Sequence, residues 1–459
     1  MLRRPLLSLL ALALALRLAH GGLLAGAPAP ASVGASANVP VEIRALLAEP
    51  LTAGSAVRLS FLAEPSLRAR LLETGVDEGR LEEARRLPNP TIEVEFWGPS
   101  GKGDDEARTE ASIEWDVTTA LLTGRRTAAA SAALGAARLR AEAATVARAF
   151  EVESAFHSVR GAKRKLAIAR TRAELAAVVA DTARALVDAG NAAALSALRE
   201  DASRERAALA LSEAELVAVD AEERLSILLG AGSVEGVREA VAAIGDEAPP
   251  LPAALPATST LEDAALASNL ELRELDARLR AVAARIRLAK AEGRWPDVSL
   301  RVRTEREEGS WRIGGGVSIR LPLVDRGQGR LASLLAERRS LEERRRATEA
   351  AVGSAARRAA SRLSLAHARA ARYGASILPR QERITAETLL HANAMQVGIP
   401  ALLAARDAEL AAASAAADAD RDYAVALAAT VALRSGLRVD APASPSLSGN
   451  EPASPEGGH

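Results

Sequence analysis

The stretch that decides the fold is Trp295–Leu321, WPDVSLRVRTEREEGSWRIGGGVSIRL. Apolar and polar residues alternate through it twice. Val298, Leu300 and Val302 interleave with Ser299, Arg301 and Arg303. Ile313, Gly315, Val317, Ile319 and Leu321 then interleave with Arg312, Gly314, Gly316, Ser318 and Arg320. A period of two places alternate side chains on opposite faces of a strand. The same design occurs earlier, in Pro90–Thr118. There Ile92, Val94 and Phe96 interleave with Glu93 and Glu95, and Ala111, Ile113, Trp115 and Val117 with Ser112, Glu114, Asp116 and Thr118. Four amphipathic strands follow, over 91–97, 111–118, 297–303 and 312–321.

The polar faces are heavily charged, and all four tryptophans (Trp97, Trp115, Trp295 and Trp311) lie in or beside these strands. Tryptophan collects at membrane–water boundaries, where its ring is apolar and its N–H meets water. An apolar exterior, a charged interior and aromatic ends fit the wall of a transmembrane β-barrel. A half-buried sheet on a soluble domain alternates in the same way, so the strands alone leave both readings open.

Composition narrows the choice. The chain has 459 residues, with 59 basic and 59 acidic side chains and zero formal net charge. Nucleic-acid binding calls for a basic excess and finds no support. Cysteine is absent, which excludes disulfides, thiolate zinc sites and a thiol anchor for lipid. Aromatics are only 2%, and Ala, Leu, Arg and Glu dominate, as in long helices and coiled coils. Met1-Leu2-Arg3-Arg4, the apolar run Leu6–Leu16 and the small residues Ala25-Gly26-Ala27 predict a secretory signal peptide over 1–27. No later run is long enough for a membrane-spanning helix.

The remaining chain divides by its prolines and glycines. Residues 28–56 form an extended lead-in. The first unit, 57–244, opens with a helix that Pro65 and Gly75 interrupt and Pro88 and Pro90 end. After the strands, about 60 residues without proline predict a helix about 90 Å long. It stops at Gly190-Asn191 and returns to Leu229, giving a helical hairpin over 125–229. Residues 245–259, with Pro249, Pro250, Pro252 and Pro256, read as a linker. The second unit, 260–434, repeats the order: a helix over 261–293, two strands, a helix over 330–395 kinked at Pro379, a turn at Gly398 and a return helix. Residues 435–459 read as a disordered tail. Pro90 and Pro296 are 206 positions apart (296 − 90) and Gly190 and Gly398 are 208 apart (398 − 190). Spacings so alike argue for internal duplication.

Four strands are too few to close a barrel, and an open sheet in lipid leaves its edges unsatisfied. Transmembrane strands must therefore be shared, and three copies supply twelve. At this point the chain resembles the TolC-like outer-membrane efflux family across residues 56–436. The residues carrying the resemblance are Leu87-Pro88-Asn89-Pro90, Trp295-Pro296-Asp297-Val298, Leu228-Leu229-Gly230, Gly316-Val317-Ser318-Ile319-Arg320-Leu321-Pro322-Leu323, Ile377-Leu378-Pro379 and Val397-Gly398-Ile399. The Asn-Pro strand entry and Thr123-Gly124-Arg125-Arg126 look most like its heavy-metal-efflux branch.

The resemblance implies a mainly α-helical homotrimer with a twelve-stranded β-barrel in outer-membrane lipid and an α-helical barrel in the periplasm. It implies a passive duct for metal ions or small toxic molecules. A periplasmic adaptor, with an inner-membrane pump of the RND type behind it, would dock at the hairpin tips, Gly190, Asn191, Val397, Gly398 and Ile399. Glu387, Asn393 and Gln396 are candidates for a periplasmic constriction. With the apolar strand face in lipid, Glu93, Glu95, Glu114, Asp116, Arg301, Arg303, Arg312 and Arg320 line the lumen, where they select ions or simply keep it wet. The competing reading is a periplasmic coiled-coil adaptor with a small soluble β-domain. No catalytic, cofactor or metal motif is present. The histidines (His20, His157, His367, His391 and His459) are scattered, and Gly314-Gly315-Gly316 lies inside a strand rather than in a phosphate loop.

Overall fold

The computed structural model describes residues 39–97, 108–245, 247, 251–252, 255, 258–307 and 310–439. The expected signal peptide, most of the linker and nearly all of the tail lie outside the described residues.

In chain order the elements are α1 (Val39–Ala48), α2 (Ala53–Ala63), α3 (Pro65–Arg85), β1 (Thr91–Trp97), β2 (Arg108–Asp116), α4 (Val117–Asp188), α5 (Ala194–Leu228), α6 (Val237–Ala242), α7 (Thr258–Ser268), α8 (Leu270–Glu292), β3 (Asp297–Glu307), β4 (Ser310–Arg320), α9 (Gln328–Arg372), a π-helical turn (Tyr373–Ile377), α10 (Leu378–Asn393) and α11 (Ile399–Arg434). The strands form one antiparallel sheet in the order β1-β2-β3-β4. No described helix is long and apolar enough to cross a membrane.

Helix α4, 72 residues long, is the spine of the helical body and packs against α2, α3, α5, α8 and α11. Alanines are frequent in its seams, set between larger buried side chains such as Val152, Phe156 and Val159. Ala136, Ala137, Ala155 and Ala162 of α4 are buried, as are Ala416, Ala417, Ala419, Ala424 and Ala428 of α11. Ion pairs stitch the edge of the α4–α11 seam: Arg164–Asp420 at 2.7 Å, Lys165–Asp418 at 3.1 Å and Arg172–Asp407 at 2.7 Å. Larger apolar clusters join α8 to α9 (Leu275, Val282, Ile286, Leu334 and Leu341) and surround Tyr423 with Leu363, Ala370 and Ala419.

Several expected boundaries move, each for a local reason. The second strand ends at Asp116, so Val117 and Thr118 are helical. The Asp116 carboxylate accepts the Thr119 N–H at 2.8 Å and caps α4. The Thr118 hydroxyl donates to the Pro296 carbonyl at 2.9 Å and accepts from the Val298 N–H at 2.7 Å, tying the start of α4 to the start of β3. The first hairpin therefore begins at 117 rather than 125. The lead-in expected to be extended up to residue 56 instead carries α1 and the start of α2, the latter capped by a reciprocal Thr52–Ser55 pair. Gly75 does not interrupt α3, since an isolated glycine only weakens a helix.

Two expected helices are divided. Residues 261–293 split into α7 and α8 at Asn269, whose side-chain oxygen accepts the Leu272 N–H at 2.9 Å. Ahead of Pro379 the chain widens into the π turn, where the Leu378 N–H reaches back to the Tyr373 carbonyl. Proline has no N–H to continue the α-helical ladder, and the wider turn accommodates the break.

The ends of the return helices show paired geometry. Gly230 and Gly436 both follow their helix with positive φ, +82° and +94°. In each case two backbone bonds close a Schellman turn: Gly230 N–H to Ile227 and Ala231 N–H to Ser226, and Gly436 N–H to Leu433 and Leu437 N–H to Ala432. A Cβ on Gly230 would lie 2.9 Å from the Ala63 carbonyl oxygen, and one on Gly436 2.5 Å from that of Ser268. Both glycines thus press on a helix break, α2–α3 at Glu64 and α7–α8 at Asn269. Both break residues are buried polar caps. Glu64 accepts the Ser66 and Leu67 N–H groups at 3.1 and 2.7 Å.

Candidate functional site

The sheet separates its chemistry cleanly. On one face the register aligns Ile92, Ile113, Val302 and Gly315 in one row, and Val94, Ala111, Thr304 and Ile313 in the next. Trp115, Leu300 and Val317 follow. Ile92, Val94, Ile113, Leu300, Val302, Ile313, Val317 and Ile319 are all exposed. An apolar face of this extent left open marks a surface that belongs against lipid or protein.

The opposite face holds every residue expected to line a lumen. Thr91, Glu114, Arg301 and Gly316 form one row, Glu93, Ser112, Arg303 and Gly314 the next, and Glu95, Glu110, Glu305 and Arg312 a third. Asp116 and Arg320 lie at the helix-proximal end. The Glu114 carboxylate accepts the Ser299 hydroxyl at 2.6 Å and the Arg301 Nε–H at 3.1 Å, with a second bond from the same guanidinium. Arg303 pairs diagonally with Glu110 at 2.8 Å, and Arg320 leans on Asp297 at 3.7 Å. Acids predominate on β1 and β2 and arginines on β3 and β4, so the β2–β3 seam is where the charges meet.

Glu110, Ser299 and Thr118 were missed as participants. Glu110 was legible, since Glu110, Ser112 and Glu114 continue the period of two backwards. The Thr118 bridge was not, because nothing in the sequence pairs positions 118 and 298.

At the first hairpin tip Gly190 has φ +74°, and the Gly190 and Asn191 N–H groups bond to Val187 and Leu186. This matches the expected turn. The second tip corrects it. Gly398 is the extended N-cap of α11, with φ −78°. The left-handed residue is Met395, φ +56°, and the Met395 and Gln396 N–H groups bond to Ala392 and His391. Gly190 therefore corresponds to Met395 and the N-cap Ala193 to Gly398; 395 − 190 and 398 − 193 both give 205. Matching glycine to glycine had aligned unlike positions. Gly190, Asn191, Val397, Gly398 and Ile399 are all exposed, and Met395 is 94% exposed.

The three constriction candidates do not converge. Glu387 faces Arg383 at 4.0 Å, one turn before His391, whose Nδ1 lies 2.5 Å from Gln396 Oε1. Asn393, six residues after Glu387, is about a third of a turn away around α10.

Three clustered metal-binding side chains occur nowhere among the described residues. In the helical body, burial and then the Arg160 charge push His157 down to about 4, keeping it neutral. Burial raises the Glu153 carboxyl one turn earlier.

With its four-stranded sheet and two long helical hairpins, the chain aligns over most of its length with solved outer-membrane channels. The outer-membrane channel OprN aligns over 85% of this chain and 91% of its own, with 20% identity and a TM-score of 0.69. The fold is that of the TolC-like outer-membrane efflux channels. VceC, an outer-membrane protein of Vibrio cholerae, aligns over 84% of this chain and 97% of its own at 15% identity and a TM-score of 0.66. CusC, described for its folding and transmembrane channel formation, aligns over 89% and 96% at 16% identity and a TM-score of 0.60. No family model matches the sequence, and no curated protein matches it by sequence. The TolC-like architecture is thus carried by pattern and geometry at a level of identity where side chains have largely diverged.

Proposed function

We propose that the chain is the outer-membrane duct of a tripartite efflux system. Three copies close a twelve-stranded barrel, and their hairpins continue it as a helical tube into the periplasm. The observation that carries this reading is the sheet: one face apolar and exposed, the other charged, and both edges open among the described residues. Strands β3 and β4 have 11 residues each, about the length a tilted strand needs to cross lipid. Trp97 and Trp311 sit at one end of the sheet and Trp115 and Trp295 at the other, as boundary girdles require.

Copies would meet along the helices too. Leu198, Leu209, Leu216 and Ile227 of α5 are all exposed. Their spacings of 11, 7 and 11 residues are close to whole numbers of turns, so they form one apolar stripe. The 205- and 206-residue correspondences support an internal duplication with units over 57–244 and 260–434.

In this duct the charged face lines the lumen. The apolar tips, with Met395, Val397 and Ile399 beside Gly190 and Asn191, receive a periplasmic adaptor, and an RND-type pump supplies energy. Copies of Glu387 and Gln396 contributed by the three chains, rather than a cluster within one chain, narrow the periplasmic mouth. The Asn89-Pro90 and Thr123-Gly124-Arg125-Arg126 segments favour metal ions among the small toxic substrates.

Fractionation and bilayer recordings test the duct. The expected result is a detergent-requiring outer-membrane protein with a native mass of three chains and ohmic single-channel currents. A soluble monomer would support the coiled-coil adaptor instead. Deleting the gene tests the substrate: sensitivity should rise for metals more than for dyes.

A further inference from the structure

The outer edges of β1 and β4 have no strand partner among the described residues. The registers identify what fits them. Within the first hairpin Thr91 stands opposite Glu114, and within the second Asp297 stands opposite Arg320. Adding 206 to both members of the first pair gives the second (91 + 206 = 297; 114 + 206 = 320), so one offset relates the two hairpins. The seam between them, β2 against β3, sets Glu114 opposite Arg301. Applying the offset to that seam turns β2 into β4 and β3 into β1. Glu114 becomes Arg320 (114 + 206), and Arg301 becomes Glu95 (301 − 206). The two free edges therefore carry the ion pair of the internal seam with its signs exchanged.

We propose that β4 of one copy pairs antiparallel with β1 of a second copy of this chain, with Arg320 directly opposite Glu95 of that copy. This inference rests on the trimeric duct and names the register that closes it.

Three further observations agree. Four alternating strands leave β4 and β1 running in opposite directions, as the next antiparallel pair requires. The same register sets Ile319 opposite Phe96, so the apolar face continues across the joint. A slip of one residue would put Arg320 against Phe96 or Val94. The side chains also reach outward: Arg320, whose printed ion pair is the long 3.7 Å contact with Asp297, is 85% exposed, and Glu95 is exposed.

Charge also selects the partner edge. The polar face of β1 carries Glu93 and Glu95 and that of β4 carries Arg312 and Arg320. Pairing β1 with β1, or β4 with β4, would bring like charges together. Only the head-to-tail joint is complementary, and head-to-tail joints close rings.

The absence of native cysteine makes the test clean. The double variant Glu95→Cys/Arg320→Cys, oxidised mildly in native outer membranes, should give covalent dimers and trimers, and neither single variant should. Preferential cross-linking of Glu93→Cys/Arg320→Cys would overturn the register. In a second arm, Glu95→Arg should lower the detergent-resistant oligomer roughly tenfold over three joints, and adding Arg320→Glu should restore it. A wild-type chain that is monomeric by native mass would sink the duct itself. A trimer with silent cysteines at 95 and 320 and an indifferent Glu95→Arg would sink only this joint.

Discussion

The first hairpin turns on Gly190 and the second on Met395, yet the hydrogen bonds at the two turns are the same. A second pair behaves likewise: α3 is capped by Glu64 and α8 by Asn269, each buried beside a glycine that ends a return helix. The backbone bonding repeats while the side chains change. Chain geometry at these points is fixed by which N–H reaches which carbonyl, and the residue type sets only how much that geometry costs. At Met395 the left-handed conformation costs about 1 kcal/mol that glycine would not incur. A side chain held there, almost wholly exposed, fits the docking role proposed for the apolar tip.

Substitutions can break this correspondence, and the two glycines facing the helix breaks should do so most. Gly436→Ala should destabilise the protein by about 3–4 kcal/mol and Gly230→Ala by about 2–3, because each adds left-handed strain to a clash with backbone. The order follows the closer approach at Gly436, and thermal melts of purified protein in detergent read it directly. Equal or negligible losses would show that the helix breaks yield more easily than their geometry suggests.

The two caps come next. Glu64→Ala and Asn269→Ala should each cost about 1–2 kcal/mol. They should differ in pH dependence. Burial alone would raise the Glu64 carboxyl, but the Leu67 and Ser66 hydrogen bonds and the Arg148 charge outweigh it and hold the group below its ordinary 4.5. A carboxyl depressed in the folded state contributes stability above pH 4.5, and that contribution is lost as pH falls through the folded value. Melting curves across the acid range should therefore flatten in Glu64→Ala and keep their slope in Asn269→Ala.

At the tips, Met395→Gly should stabilise by about 1 kcal/mol and Gly190→Ala should destabilise by about the same amount. Met395→Gly should also weaken capture by the adaptor, measurable by co-purification. A gain in stability with unchanged capture would separate the strain from docking. Near neutral pH the smallest effect belongs to His157, whose contribution changes only in acid. A base held near 4 contributes stability that is full above pH 6.5 and drains as pH falls toward 4. His157→Gln should remove that part of the acid slope in the same melts.

The sequence made the strands and their phase readable because a period of two leaves the apolar face no other arrangement. The charged residues at 93, 95, 114, 301, 303, 312 and 320 followed from that phase. Helix ends were harder to place. Asp116 reads equally as a strand residue and as a cap, and only the contact between Thr118 and β3 decides it. The second tip was misplaced because glycine signals a turn statistically, while the turn itself needs one left-handed residue of any type. The short helix α6 depends on packing against segments far away in sequence, with the Lys163 ammonium reaching its last carbonyls, which no local pattern encodes.

The length of α4 has a mechanical consequence. Seventy-two residues at about 1.5 Å each make a rod of about 108 Å, so a tilt of about 3° where it leaves the sheet moves its far end by about 6 Å. Its base is pinned by the Asp116 cap and the Thr118 bridge to Pro296 and Val298. The rod is a lever with its fulcrum at the sheet end, so a displacement of several ångströms at the hairpin tip requires almost no rearrangement at the sheet.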